Sequence, residues 1–103
     1  TRPGRVRVLI EYRVDRTNEA EFLQLMQESR RSRLRQGALD WQLLHDLYEP
    51  GRYVEQIIDA SWTEHLRRFD RISAADVQLR DKRLAFHVGE EPPKVSRYLI
   101  AQE

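Results

Sequence analysis

Along residues 5–14, RVRVLIEYRV, apolar and polar side chains alternate with a period of two. Val6, Val8, Ile10, Tyr12 and Val14 fall on one face, and Arg5, Arg7, Leu9, Glu11 and Arg13 on the other. That period predicts a half-buried strand. After DRTN the period changes. Phe22, Leu23, Met26 and Leu34 recur on one side of a helical stretch over about 18–36, where Asp15, Thr17 or Asn18 can cap the start and Gly37 suits the stop. Trp41, Leu43, His45 and Leu47 then alternate with Gln42, Leu44, Asp46 and Tyr48, which predicts a second strand. EPGR at 49–52 places proline and glycine for a type II turn, and Tyr53 to Ala60 forms the return strand of a hairpin.

Ser61 and Glu64 stand in the S-x-x-E spacing of a capping box directly after that strand. Trp62, His65, Leu66, Phe69 and Ile72 follow on one helical stripe, with Glu64, Arg67, Arg68 and Arg71 on the other side. Ser73 and Asp76 repeat the capping spacing, so a second helix begins there, runs to about Val88 and stops at Gly89. EEPPK reads as a rigid linker, and KVSRYLIAQ as a final strand. The order is strand, helix, strand, strand, broken helix, strand. This predicts an α+β, ferredoxin-like βαββαβ fold, a four-stranded antiparallel sheet with helices on one face. Residues 1–4 read as a linker or processing remnant and 5–103 as a single domain; the missing initial methionine suggests a piece of a longer chain.

Helices on one face can cover only one side of such a sheet. The other side of the first strand carries Leu9 and Glu11, and the hairpin adds Leu44, a mixed face of the kind that marks an interface. A homodimer packed sheet to sheet is therefore expected, with Leu9, Glu11 and Leu44 as interface candidates.

Composition narrows the chemistry. The 103 residues are 40% hydrophobic and 34% charged, with no cysteine and a formal net charge of +1, which suits a globular domain and removes thiol nucleophiles, disulfides and thiolate metal sites. Near-neutral charge gives no case for nucleic acid as a partner. No apolar run reaches the roughly 18 residues of a membrane span. None of His45, His65 and His87 is spaced as a zinc-binding pair, no serine lies in G-x-S-x-G, and no glycine-rich phosphate loop occurs, so no metal, cofactor or catalytic residue is expected. His65 sits in an apolar stripe and reads as a packed histidine, His87 as an exposed one. The one basic cluster, Arg30, Arg31, Arg33 and Arg35, reads as a solvated helix end complementing the dipole, with weak contact to anionic lipid as the other reading. Tyr12, Trp41, His45, Trp62 and His65 are candidates to line a pocket for a flat apolar ligand, although core packing accounts for the same residues.

Four pieces carry a resemblance: the strand VLIEYRVD, the hairpin GALDWQLLHDLYEPGRYVEQIIDA, SWTEHLRRFDRISAAD, and RLAFHVGEEPPKVSRYLIA. In this order they resemble the C-terminal domain of bacterial major-facilitator transporters of the transmembrane secretion effector, or enterobactin-exporter-like, type. The resemblance runs from about Arg5 to Ala101. It implies a domain on the cytoplasmic side of the inner membrane, attached to the transmembrane portion of the same chain and regulatory or dimerising in role. It also implies the dimeric α/β barrel fold of antibiotic-biosynthesis monooxygenases and heme-degrading relatives. A small cofactor-independent monooxygenase or heme-binding enzyme on that fold is the alternative, and fold alone does not decide between them.

Overall fold

The computed structural model describes residues 4–103, so all but Gly4 of the expected 1–4 linker lies outside the described residues. β1 (Val6–Arg13), α1 (Glu19–Arg35), β2 (Asp40–His45), β3 (Arg52–Asp59), α2 (Trp62–Asp70), α3 (Ala74–Phe86) and β4 (Lys94–Leu99) follow in chain order, with a single 3-10 turn at Arg16–Asn18. The strands form one antiparallel sheet in the order β2-β3-β1-β4. This is the predicted ferredoxin-like arrangement.

Pairing fixes which side chains share a face, because residues directly opposite one another point the same way. Val8 stands opposite Ile57 and Arg97, and Trp41 opposite Ile57. The helix-facing surface therefore collects Val6, Val8, Ile10 and Tyr12 with the odd-numbered residues of β2, β3 and β4. Phe22 of α1 anchors one half of the core, with ring centroids 5.5 Å from Tyr12, 5.3 Å from Tyr53 and 5.7 Å from Phe86. Val6, Val8, Ala38 and Ile57 make the other half. The buried stripe of α1 is Phe22, Met26, Ser29 and Ser32, so Leu23, expected inside, points outward.

Helix ends follow their local chemistry. At the end of α1, Gly37 N–H donates to Leu34 O at 3.0 Å and Ala38 N–H to Arg33 O at 3.1 Å, the paired bonds of a Schellman stop, with Gly37 at φ +115°. Ser73 makes a full capping box. Its hydroxyl accepts from Asp76 N–H at 3.2 Å, and the Asp76 carboxylate accepts from Ser73 N–H at 2.9 Å. Ser61 makes only half of one: it accepts from Glu64 N–H at 3.1 Å, while the Glu64 carboxylate turns outward to Arg67.

The second strand is shorter than the alternation predicted. Asp46 accepts from the N–H groups of Tyr48 and Glu49 at 2.7 and 3.0 Å, and this side-chain turn competes with the ladder and ends β2 at His45. Leu47 and Tyr48 are consequently exposed in the turn. Arg52 N–H donates to Glu49 O at 3.2 Å and Gly51 has φ +79°, as the type II turn requires. Val14 N–H donates to Gly51 O at 2.8 Å, and a Cβ at Gly51 would stand 2.5 Å from Val14 O. The hairpin tip is therefore latched to the end of β1. His87 latches the same region from the other side: Nδ1 accepts from Arg13 N–H at 3.0 Å, so His87 is a part-buried clasp where an exposed residue was expected.

Ser73→Ala and Ser61→Ala should each cost about 1 kcal/mol, in the usual range for losing a cap. Each removes one hydroxyl that accepts from a helix-start N–H, and the second bond at Ser73 uses its backbone N–H and survives. Urea denaturation of the two variants measures both losses. No loss at either site would contradict the capping geometry.

Candidate functional site

Alternation places two acids of β3 on the buried face. Glu55 and Asp59 are four residues apart, about 13 Å along a strand, and both are fully buried. A buried carboxylate survives only with charge and hydrogen bonds supplied by its neighbours. Glu55 receives them from three elements. Tyr12 Oη donates to Oε1 at 3.0 Å, Ser29 Oγ and Trp41 Nε1 each donate to Oε2 at 2.8 Å, and Arg33 spans both oxygens at 3.2 and 3.3 Å. Burial works to raise the Glu55 carboxyl, but Arg33, Arg83 and the Trp41 N–H outweigh it and hold the group at about 2, below its ordinary 4.5. Burial and then the Glu55 charge push the Tyr12 phenol above its ordinary 10.

Asp59 organises the second cluster. Arg68 grips it with Nε at 2.7 Å and Nη2 at 3.0 Å, and His65 Nδ1 lies 2.9 Å from Oδ2. The other ring nitrogen, Nε2, accepts from Arg97 Nε at 3.1 Å. An acceptor at Nε2 and a donor at Nδ1 define a neutral imidazole with its proton on Nδ1. Burial lowers the basicity of His65 below the ordinary 6.5; Asp59 opposes the shift, and Arg68 and Arg97 add to it. His65 is thus a buried bridge between α2 and β4, and Nε2, the nitrogen that would serve as a base, is occupied.

Beside these clusters lies a cavity of about 320 Å³ between the sheet, α2, α3 and β4. Val8, Ile10 and Ile57 form its floor, and Phe69, Leu84 and Val95 stand among its walls with Pro92 and Pro93. Arg33, Arg68, Arg80, Arg83 and Arg97 also line it, and no carboxylate does.

The structure divides the five pocket candidates. Tyr12 and Trp41 meet on Glu55. His65 sits in the Asp59 cluster with the half-exposed Trp62 against it, ring centroids 5.1 Å apart. His45 is separate: it is exposed and stacks on Tyr53 at 4.2 Å. Only Tyr12 and His65 reach the cavity. The basic cluster is likewise divided, because Arg33 is only 14% exposed and pairs with Glu55, while Arg35 pairs with Asp76. Arg33 is therefore not available to a lipid surface. Sequence reasoning missed Ser29, Arg33, Glu55, Asp59, Arg68 and Arg83. The signal was present in the parity of β3, since Tyr53, Glu55, Ile57 and Asp59 share one face. Among the described residues no group of three His, Asp or Glu side chains is placed to hold a metal, and no helix is long and apolar enough to cross a membrane.

The family described as transmembrane secretion effector matches over residues 1–103. No curated protein matches the chain in sequence. Among solved structures, SnoaB, a cofactor-independent oxygenase from Streptomyces nogalater, superposes with a TM-score of 0.79 at 15% identity, covering 97% of this chain and 96% of its own. A protein from Bordetella bronchiseptica, described as a candidate antibiotic biosynthesis monooxygenase, gives 0.78 at 21% identity, with 96% and 99% covered. One from Nitrosomonas europaea, described in the same way, gives 0.79 at 15%, with 98% and 94% covered. At these identities the likeness is one of fold.

Glu55→Gln keeps the shape but leaves Arg33 buried without its counter-charge, so a loss of about 3–5 kcal/mol at neutral pH is expected. The Glu55 carboxyl is depressed on folding, so its contribution is complete above about 4.5 and fades as pH falls toward about 2. Denaturation of both proteins across that window should show the gap closing; a constant gap would mean Glu55 is not ionised in the fold. For His65 the depressed basicity means that the unfolded chain takes up the proton first, so stability is complete above about 6.5 and declines below it. His65→Gln, whose amide can donate to Asp59 and accept from Arg97, should flatten that decline between about pH 7 and pH 5. An unchanged slope would remove His65 as its source.

Proposed function

The chain belongs to the transmembrane secretion effector family, and from that premise we propose that it is the cytoplasmic C-terminal domain of a major-facilitator-type exporter, dimerising and regulatory, without catalysis of its own. The match across all 103 residues carries this reading. The interior chemistry supports it. Tyr12, Glu55, Asp59 and His65 are each engaged in hydrogen bonds to neighbouring side chains, which leaves no free base or nucleophile among them to begin a reaction. Residues 5–103 act as the domain, with the membrane-spanning part of the same chain and a second copy of the domain as its partners.

Dimerisation is proposed through the sheet face away from the helices. Leu9, Glu11 and Leu44 all lie on it, together with Val54 and the exposed Tyr98. Glu11 is already paired within the chain, to Arg52 at 2.6 Å, so the apolar members of this face and not a cross-axis ion pair supply the contact. Leu9 stands opposite Gln56 and Ser96 near the middle of the face.

Light scattering after size exclusion should give about twice the 12.4 kDa chain mass, and Leu9→Arg should shift it toward monomer. A monodisperse monomer at tens of micromolar would overturn the dimer. The coding sequence upstream of Thr1 tests the transporter reading, with about twelve apolar spans of roughly 20 residues each expected there. A Soret shift with stoichiometric hemin, or oxygen uptake that depends on a quinol-type substrate, would overturn the non-catalytic reading.

A further inference from the structure

Once Arg33 is assigned to Glu55 and Arg68 to Asp59, the cavity still contains uncompensated positive charge. Arg83, on the inner face of α3, is only 5% exposed. Its Nη1 donates to Ser29 Oγ at 3.1 Å, and among the described residues it makes no salt bridge within 4.0 Å. Burial and then the neighbouring Arg33 lower its guanidinium from the usual 12.5, while Tyr12 and Glu55 oppose the shift without forming a salt bridge to it. Two further arginines face the same space. Arg80 has its nearest acid, Asp81, at 3.9 Å on the surface, and Arg97 gives its Nε to the neutral His65. Five guanidiniums around the cavity are set against two buried carboxylates, Glu55 and Asp59, so an excess of positive charge remains that a bound anion would offset.

The mouth of the cavity has the complementary defect. Phe69, Leu84 and Val95 stand 53, 45 and 42% exposed where the cavity opens. The volume of about 320 Å³ lies at the small end of the range for small-molecule sites. An apolar floor, an uncovered apolar rim and an excess of buried positive charge are satisfied together by one kind of molecule. We infer that this cavity binds a small amphipathic organic anion, an aromatic or branched carboxylate whose apolar body covers the rim and whose carboxylate meets Arg83. A bare inorganic anion would leave the rim in water, and a neutral apolar molecule would leave the arginine excess in place. The inference stands on the cavity alone and does not depend on the exporter reading.

Titration calorimetry with 2-naphthoate as the probe, run beside 2-naphthamide and inorganic phosphate, tests it. Naphthoate should bind one per chain, and the amide and phosphate at least about tenfold more weakly. Arg83→Met should weaken naphthoate by roughly 10- to 150-fold, the loss expected for one charge-assisted hydrogen bond. It should change the melting temperature little, since Arg33, Tyr12, Ser29 and Trp41 continue to hold Glu55. A clearly lower melting temperature would make Arg83 a structural residue and overturn its assignment. Leu84→Glu, on the exposed rim, provides a second arm that leaves Arg83 in place. It should repel naphthoate while the fold persists, and unchanged affinity there would overturn the site. Binding of the amide or of phosphate as tight as that of naphthoate would overturn the ligand class. A change in oligomeric mass in Arg83→Met, without a change in naphthoate affinity, would give the cavity to a side chain of a second copy and overturn the proposal too.

Discussion

Glu55 carries a full charge in the middle of the sheet, and all of its solvation is supplied by other side chains. β1 provides the Tyr12 hydroxyl, β2 the Trp41 indole N–H, and α1 both Ser29 and Arg33. Those donors come from segments that are far apart in sequence and must converge at one point. An apolar core of the same volume would accept a helix at several depths and rotations. A carboxylate demanding donors at 2.8 to 3.3 Å from three elements accepts one arrangement. The charge therefore specifies how α1 sits on the sheet, while apolar burial in the two flanking halves of the core supplies the drive to fold.

Asp59 repeats the device for the second half of the chain. Through Arg68 and His65 it fixes α2, and through His65 and Arg97 it ties α2 to β4. Asp76 does the same at the surface between the helices: it closes the capping box of α3 while accepting from Ser32 at 2.8 Å and pairing with Arg35 of α1. Arg35 lowers the Asp76 carboxyl well below the usual carboxylate range, and Ser73 and Ser32 act in the same direction. Three acids, each with an arginine, thus join segments that are distant in the chain. In a fold shared with an oxygenase, these three acids tie helices to one another and to the sheet.

The order of elements could be read from the chain because each carried its own period or cap: the strict alternation of Val6 to Val14, the serines at 61 and 73, the Pro-Gly turn at 50 and 51. The end of β2 could not, since Asp46 competes with the ladder through a local bond that hydropathy does not register. The candidate site was half legible. Aromatic and histidine positions drew attention by their chemistry, and Tyr12, Trp41 and His65 do lie inside. Ser29 and Arg33 did not, because a helix stripe that turns from Phe22 and Met26 to serine and arginine looks as if it has left the core. Only the partner strand explains why it has not: the polar end of that stripe meets the acid at Glu55. The information is therefore distributed over two segments, and neither segment alone reveals it.

The latch between Gly51 and Val14 has a consequence for what this chain can tolerate over evolutionary time. Leu47 and Tyr48 lie almost fully in solvent, so their identities are free to drift. The number of residues in the loop is not. Val14 N–H is bonded to Gly51 O at 2.8 Å, and the carbonyl of Val14 occupies the space into which a side chain at 51 would grow. A longer or shorter loop would move that contact, and with it the end of β1 that His87, just past α3, clasps. The most exposed part of the hairpin is thus a poor site for an insertion or an epitope graft.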